Sequence, residues 1–225
     1  MRPPEISQVK QAFSITAVRG ATLALAASLA GCGMLSSVLP DDKIDYVAAD
    51  LSKPDGWKGL LRDATARLGT ISLFVHAASP RRIETDTPLT VTEETWDGMT
   101  NINLRSGFFL AREIGRQMRD KKIKGRILLV TSMHRETPRT LPHYSASKAG
   151  MTMVMKELAR TLAPDGIRVN AIAPGAIPGG GFARNMDELV AQIPLGHLAL
   201  PSGALRNKKS INLIYVRPGA KGQTA

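Results

Sequence analysis

Apolar positions along the chain fall into two alternating rhythms. Short runs rich in Val and Ile, namely IDYVAAD at 44–50, ISLFVH at 71–76, RILLVT at 126–131 and IRVNAIA at 167–173, predict strands. They are apolar on both faces, as buried parallel strands are. AFSITAV at 12–18 predicts a further short strand, and INLIYV near the carboxyl end is strand-like. Between the central runs, 55–68, 92–119 and 144–163 read as helices, the second broken near Asn103. Thr90-Val91-Thr92-Glu93 fits a capping box ahead of that second helix, and Gly166 closes the third. The alternation predicts an α/β fold with a doubly wound, mostly parallel sheet in three layers. No repeat and no Pro/Ser-rich linker divides the sequence, so residues 1–225 read as one domain, with 1–11 and 218–225 as disordered tails.

The most apolar stretch, ATLALAASLAG at 21–31, admits two readings. As an export signal it has basic residues ahead of it (Lys10, Arg19) and ends in Leu29-Ala30-Gly31-Cys32, a lipobox-like sequence. It is too short to span a membrane. As a buried helix it follows the strand at 12–18 through a turn ending at Gly20. Cleavage before Cys32 would remove that strand and helix, so the rest of the chain favours the helix and a cytoplasmic protein.

Composition narrows the classes. At 43% apolar and 22% charged residues the chain is ordinary globular material, not a disordered tail. One cysteine excludes an internal disulfide and a cysteine-rich metal site. The four histidines lack ligand spacing, so no metal is expected. The net charge of +11 fits an anionic ligand, a nucleic acid or an acidic surface equally well. Aromatics are only 4%, and the basic cluster from Arg112 to Arg126 reads as a solvated face, so neither nucleic acid nor membrane is expected as a partner.

The densest chemistry lies in 131–150, TSMHRETPRTLPHYSASKAG. Tyr144 and Lys148 are four apart, one turn along a helix face. A phenol is a poor acid or base at neutral pH, and a nearby ammonium favours its ionised form. The pair can therefore exchange a proton with a carbonyl or alcohol. Ser132 ends a predicted strand 12 residues earlier, on the edge where open α/β sheets bind ligands. After the helix comes another strand and Pro174-Gly175. His134 and His143 flank the Ser–Tyr loop and read as solvent-exposed loop residues.

Together these pieces resemble a short-chain dehydrogenase/reductase. The matching residues are Asp50-Leu51-Ser52, His76-Ala77-Ala78-Ser79, Asn103, Ser132, Tyr144 to Gly150, and Arg168 to Gly175. The resemblance implies a Rossmann-like domain, NAD or NADP as cofactor, and an oxidoreductase acting on a small alcohol or ketone. It implies Tyr144 as acid/base and Lys148 as the residue that holds the nicotinamide ribose and acts on the tyrosine. Ser132 would orient the substrate oxygen, and Asn103 would hold a proton-relaying water. Thr16, Arg19 and Gly20 would lie at the cofactor turn, Asp50 and Leu51 at the adenine, and Ala77 and Ala78 at the adenosine ribose. Pro174, Gly175 and Ile177 would line the nicotinamide. It also implies a homodimer or homotetramer paired through 92–119 and 144–163, whose apolar content (Phe108, Phe109, Leu110, Met151, Met153, Val154, Met155) exceeds what one sheet face covers.

Three departures qualify the resemblance. The family's Gly-rich turn is one residue short here and keeps only Gly20; Ala17 and Thr22 stand where glycines let a backbone approach pyrophosphate. On a family-like path this weakens cofactor binding, and glycine at both positions restores it. Ten residues between Gly33 and Ile44 are too few for a second strand and its crossover helix. The Ser–Tyr spacing is one shorter than the commonest in the family. A rival reading follows: a weak or inactive paralogue acting as a binding or subunit protein.

Overall fold

Apolar alternation on three neighbouring strands builds the floor of the site. The computed structural model describes residues 13–18, 23–28, 44–80, 82, 85–176, 186–191, 193 and 211–214. In β4 (Leu73–His76), β5 (Arg126–Val130) and β6 (Arg168–Pro174) every second residue is buried. Phe74, Ile127, Leu129, Val169 and Ala171 join the core from this face. The expected burial on both faces is not met: Val75, Leu128 and Ile172, which alternate with them, are only half-buried. The long helices explain the difference. α1 (Gly56–Leu68) packs on α3 (Ser106–Asp120), and α3 on α4 (Pro142–Leu162), so the three lie side by side over one face.

The sheet is completed by β1 (Phe13–Val18), β2 (Leu23–Ser28), β3 (Ile44–Ala49) and β7 (Ile211–Ile214), in the order β3-β1-β2-β4-β5-β6-β7. β2, β4, β5 and β6 are mutually parallel. β1 runs antiparallel to both β2 and β3, so β3 shares their direction. β7 runs antiparallel to β6. The sheet is thus mostly parallel, as the alternation of segments predicts.

One element differs in kind. The expected helix at 21–31 is instead β2, paired antiparallel with β1 from Phe13↔Ser28 to Val18↔Leu23 and parallel with β4 from Leu23↔Leu73. An alternation of Leu and Ala fits either element, and backbone partners on both sides decide for the strand. This corrects the damaged-turn argument as well. Ala17 does not enter a turn before a helix; it sits in β1 opposite Ala24 and Asp45. Glycine there would weaken a strand rather than restore a phosphate cradle. Cys32, Thr22, the expected tails and the short interval from Gly33 to Lys43 lie outside the described residues.

Boundaries elsewhere are close to expectation. The helix predicted at 92–119 spans α2 (Glu93–Thr100), a π-helical turn at Asn101–Arg105, and α3, so the expected break near Asn103 is this turn. Its cap is Thr92 rather than Thr90: the Thr92 hydroxyl accepts from the Thr95 N–H at 3.2 Å. Thr90 instead bonds back to Thr87, whose N–H it accepts at 2.9 Å. Gly166 takes the left-handed conformation (φ 72°) after a 3₁₀ turn at Ala163–Asp165, ending α4 as expected. A short helix, α5 (Met186–Ala191), follows β6. Among the described residues no helix is long and apolar enough to cross a membrane.

Candidate active site

The carboxyl ends of β4 and β5, the π-helical turn and the start of α4 converge on one cluster. Pro142 occupies the first turn of α4, where a missing N–H costs nothing, and Tyr144 follows within the same turn. Lys148 stands one turn further and is buried. Its ammonium donates to the carbonyl of Val130, the last residue of β5, at 2.9 Å and lies 5.5 Å from the centre of the Tyr144 ring. Burial holds this ammonium down to about 7, and the positive charge of Arg82 adds to the effect.

Ser132 lies two residues beyond that carbonyl, in extended conformation, and is buried. Its hydroxyl accepts from the His134 N–H at 3.3 Å, capping a single 3₁₀ turn at Met133–Arg135. That turn sets the His134 ring edge-on against Tyr144, with ring centres 5.0 Å apart. Thr131 anchors the segment: its N–H and hydroxyl both donate to the Ile172 carbonyl, at 2.8 and 3.1 Å. Ser132, Tyr144 and Lys148 are thereby tied to one strand end.

Asn103 is buried inside the π-helical turn. The Ser147 hydroxyl donates to the Tyr144 carbonyl at 2.8 Å, so it can only accept from Asn103, whose amide Nδ2 donates at 2.9 Å. This fixes the amide orientation and leaves Asn103 Oδ1 buried with no protein partner. The Asn103 carbonyl lies 3.1 Å from His76 Nε2 at the end of β4. His76 is wholly buried, and burial holds its imidazole down to about 4, with the charge of Lys148 acting the same way.

The remaining residues divide. Asp50 follows β3 and turns inward on its own loop, where one carboxylate oxygen accepts from the Ser52 N–H at 2.9 Å and the Ser52 hydroxyl at 2.5 Å. The Leu51 side chain belongs to the core, as does Ala78; Ala77 is half-buried beside it. Pro174 ends β6 and Gly175 follows it, both half-buried. Thr16 lies within β1, paired with Leu25 and Tyr46, and not at a strand end. Arg19, Gly20 and Ile177 lie outside the described residues. The two loop histidines are also corrected. His143 is fully buried, its Nε2 3.8 Å from Asp86 Oδ2, and His134 is half-buried against Tyr144. Sequence reasoning passed over Arg82, whose guanidinium lies 5.0 Å from the Tyr144 ring centre, and Ser147. The Arg81-Arg82 pair shortly after a strand end was the available signal.

Residues 12–188 match the family model for short chain dehydrogenases, and the chain belongs to that family. It is 36% identical over 132 residues to glucose 1-dehydrogenase 2 of Bacillus subtilis, a match covering 58% of this chain and 51% of that protein. It is 31% identical over 202 residues to 2-dehydro-3-deoxy-D-gluconate 5-dehydrogenase of Escherichia coli K12, covering 81% of this chain and 79% of that one. Matches to these curated relatives thus span from about half to four fifths of their length. Among solved structures, one assigned to a short-chain alcohol dehydrogenase of Sinorhizobium meliloti 1021 superposes with a TM-score of 0.63 at 29% identity, covering 71% of this chain and 66% of that chain. A ribose-5-phosphate isomerase structure from Brucella melitensis, at 23% identity and a TM-score of 0.64 over 70% of this chain and 63% of that one, shares the fold.

Proposed function

We propose that the chain is an NAD(P)-dependent oxidoreductase that interconverts a secondary alcohol and a ketone. The observation that carries this is the buried Lys148 ammonium held by Val130 beneath the Tyr144 ring, next to Ser132. The ionised Tyr144 phenolate takes the hydroxyl proton of the alcohol as the carbonyl forms, and the neutral phenol returns it in the reverse direction. The Ser132 hydroxyl holds the substrate oxygen beside the phenol. Lys148 stabilises the ionised phenol by its charge. The free acceptor on Asn103 suits a buried water, which links this turn to the proton path.

A nicotinamide dinucleotide, when bound, supplies the hydride acceptor or donor. One end of the site fits it: Lys148 has three donors and gives one to Val130, so it has donors left for a ribose. The other end is built differently. β1 is followed in the sheet by β2 and not by a helix whose N-terminus would receive the pyrophosphate. That hairpin favours the second reading, a family member that binds without turning over. By resemblance to the sugar and sugar-acid dehydrogenases above, the proposed substrate is a small polyhydroxylated molecule.

Fluorescence titration with NADH and NADPH separates the two readings. Saturable binding of either, together with turnover that falls ~10²–10⁴-fold in Tyr144→Phe, is expected for the enzyme. Full activity in Tyr144→Phe overturns the mechanism, and absence of binding by both cofactors overturns the oxidoreductase.

A further inference from the structure

We infer that His76 is a positioning residue: its imidazole holds the π-helical turn in the register that brings the Asn103 amide to Ser147, whose hydroxyl bonds the Tyr144 backbone. The inference rests on the oxidoreductase reading and adds a residue to its machinery. A π register is rare, and single turns of it inside α-helices recur at functional sites. Here the Ser106 N–H reaches back to the Asn101 carbonyl, the π spacing. Two side chains supply donors to the carbonyls of this turn. The Ser106 hydroxyl donates to the Ile102 carbonyl at 2.6 Å, from within the same helix. His76 donates from outside it: Nε2 lies 3.1 Å from the Asn103 carbonyl, 27 residues away in sequence. A carbonyl only accepts, so Nε2 carries the hydrogen. Burial keeps the ring uncharged at neutral pH, which leaves one tautomer.

The donor itself is fixed. The His76 ring is wholly buried at the end of β4, tilted against Phe74 with ring centres 6.3 Å apart. On its other side α3 passes so close that a methyl group at Gly107 would meet Cδ2 at 2.9 Å. What the turn carries is fixed as well. The Asn103 amide Nδ2 donates to the Ser147 hydroxyl at 2.9 Å and to the Met99 sulfur at 3.1 Å, which uses both of its hydrogens. Ser147 in turn donates to the Tyr144 carbonyl at 2.8 Å. A continuous line of contacts therefore runs from β4 through His76, Asn103 and Ser147 to the backbone of Tyr144. Each residue turns a helix by about 100°, so a turn that slips toward the α register swings the amide off Ser147. His76 touches no reacting atom and acts through Asn103.

Hydrogen exchange of the Asn103 side-chain amide, read by NMR on chain carrying isotope-labelled asparagine and leucine, tests this. The Asn103 signal is assigned by its loss in Asn103→Asp. Two variants separate a donor from a space-filling ring. Glutamine can place an amide N–H where Nε2 stands, whereas asparagine is one carbon too short. In His76→Asn the Asn103 amide should exchange ~10-fold faster, the worth of one buried hydrogen bond. In His76→Gln it should stay within about twofold of the parent. The backbone N–H of Leu129, in the strand beside His76, reports general loosening and should quicken less than the Asn103 amide. Unchanged Asn103 exchange in His76→Asn overturns the inference, as does equal quickening in both variants or at Leu129. Turnover of D-glucitol, a polyol with secondary hydroxyls, is followed in parallel. In His76→Asn kcat should fall ~10-fold with KM within about twofold, and His76→Gln should recover it. A parent-like kcat in His76→Asn also overturns the inference; if D-glucitol is inert, the exchange pattern alone decides. The expected exchange in a parent that binds neither NADH nor NADPH leaves the hold of His76 on the turn standing and removes the oxidoreductase. Cofactor binding and turnover with an indifferent Asn103 amide does the reverse.

Discussion

Lys148 shows how one buried side chain links stability to chemistry. Its ammonium is held down from 10.5 to about 7 by burial, with Arg82 contributing. Unfolding restores the ordinary value, so between about pH 7 and 10.5 the unfolded chain binds the additional proton. Stability therefore rises with pH across that window and is lost as pH falls toward 7. Lys148→Met removes the titration and should flatten the rise, which urea midpoints at about pH 7 and pH 9.5 will register. An unchanged slope would show that the ammonium is compensated in the folded state. Ser132, Tyr144 and Lys148 were legible in sequence because their relation is local: a strand end and one helical turn. The contacts of Arg82, His76 and Ser147 were not. Their partners (Tyr144, Asn103 and, again, Asn103) lie 62, 27 and 44 residues away, and only packing brings them together. His143 was misread for the same reason: it is buried, and the charged group it faces, Asp86, is distant in sequence.

At the scale of elements, α3 reaches β4 through a glycine. A methyl group at Gly107 would lie 2.9 Å from His76 Cδ2, and both residues are buried. Neither ring nor helix can give way without disturbing the Asn103–His76 contact. Gly107→Ala should therefore destabilise the fold by about 1–3 kcal/mol despite the better helix propensity of alanine. Thermal unfolding checks this, and a variant as stable as the parent would show that the ring moves freely. The strands and long helices were readable because apolar runs and turn residues mark them out. The stretch 23–28 was not, because Leu and Ala are at home in both states and the outcome depended on pairing with β1 and β4.

For the whole molecule, the expected self-association now rests on fewer residues. Leu110, Met151 and Met155 are core residues, which leaves Phe108, Phe109 and Val154 partly buried and Met153 54% exposed. Phe109 is stacked on Trp57, so Met153 is the residue left open, and a symmetric pair of copies is the common way to cover exposed apolar side chains on such a helix. Light scattering at micromolar concentration should give twice the chain mass or a multiple of it. Met153→Glu should shift the population toward the monomer by placing like charges across the contact. A parent chain that scatters as a monomer contradicts the expectation.

The π-helical turn at Asn101–Arg105 bears on how this chain is compared with its relatives. Such a turn houses one residue more than an α-helix needs, and each residue rotates a helix by about 100°. It carries Asn103, whose side-chain amide meets the Ser147 hydroxyl. A relative whose helix is α-helical throughout this point turns the amide at the Asn103 position to a different angle from the one that meets Ser147 here.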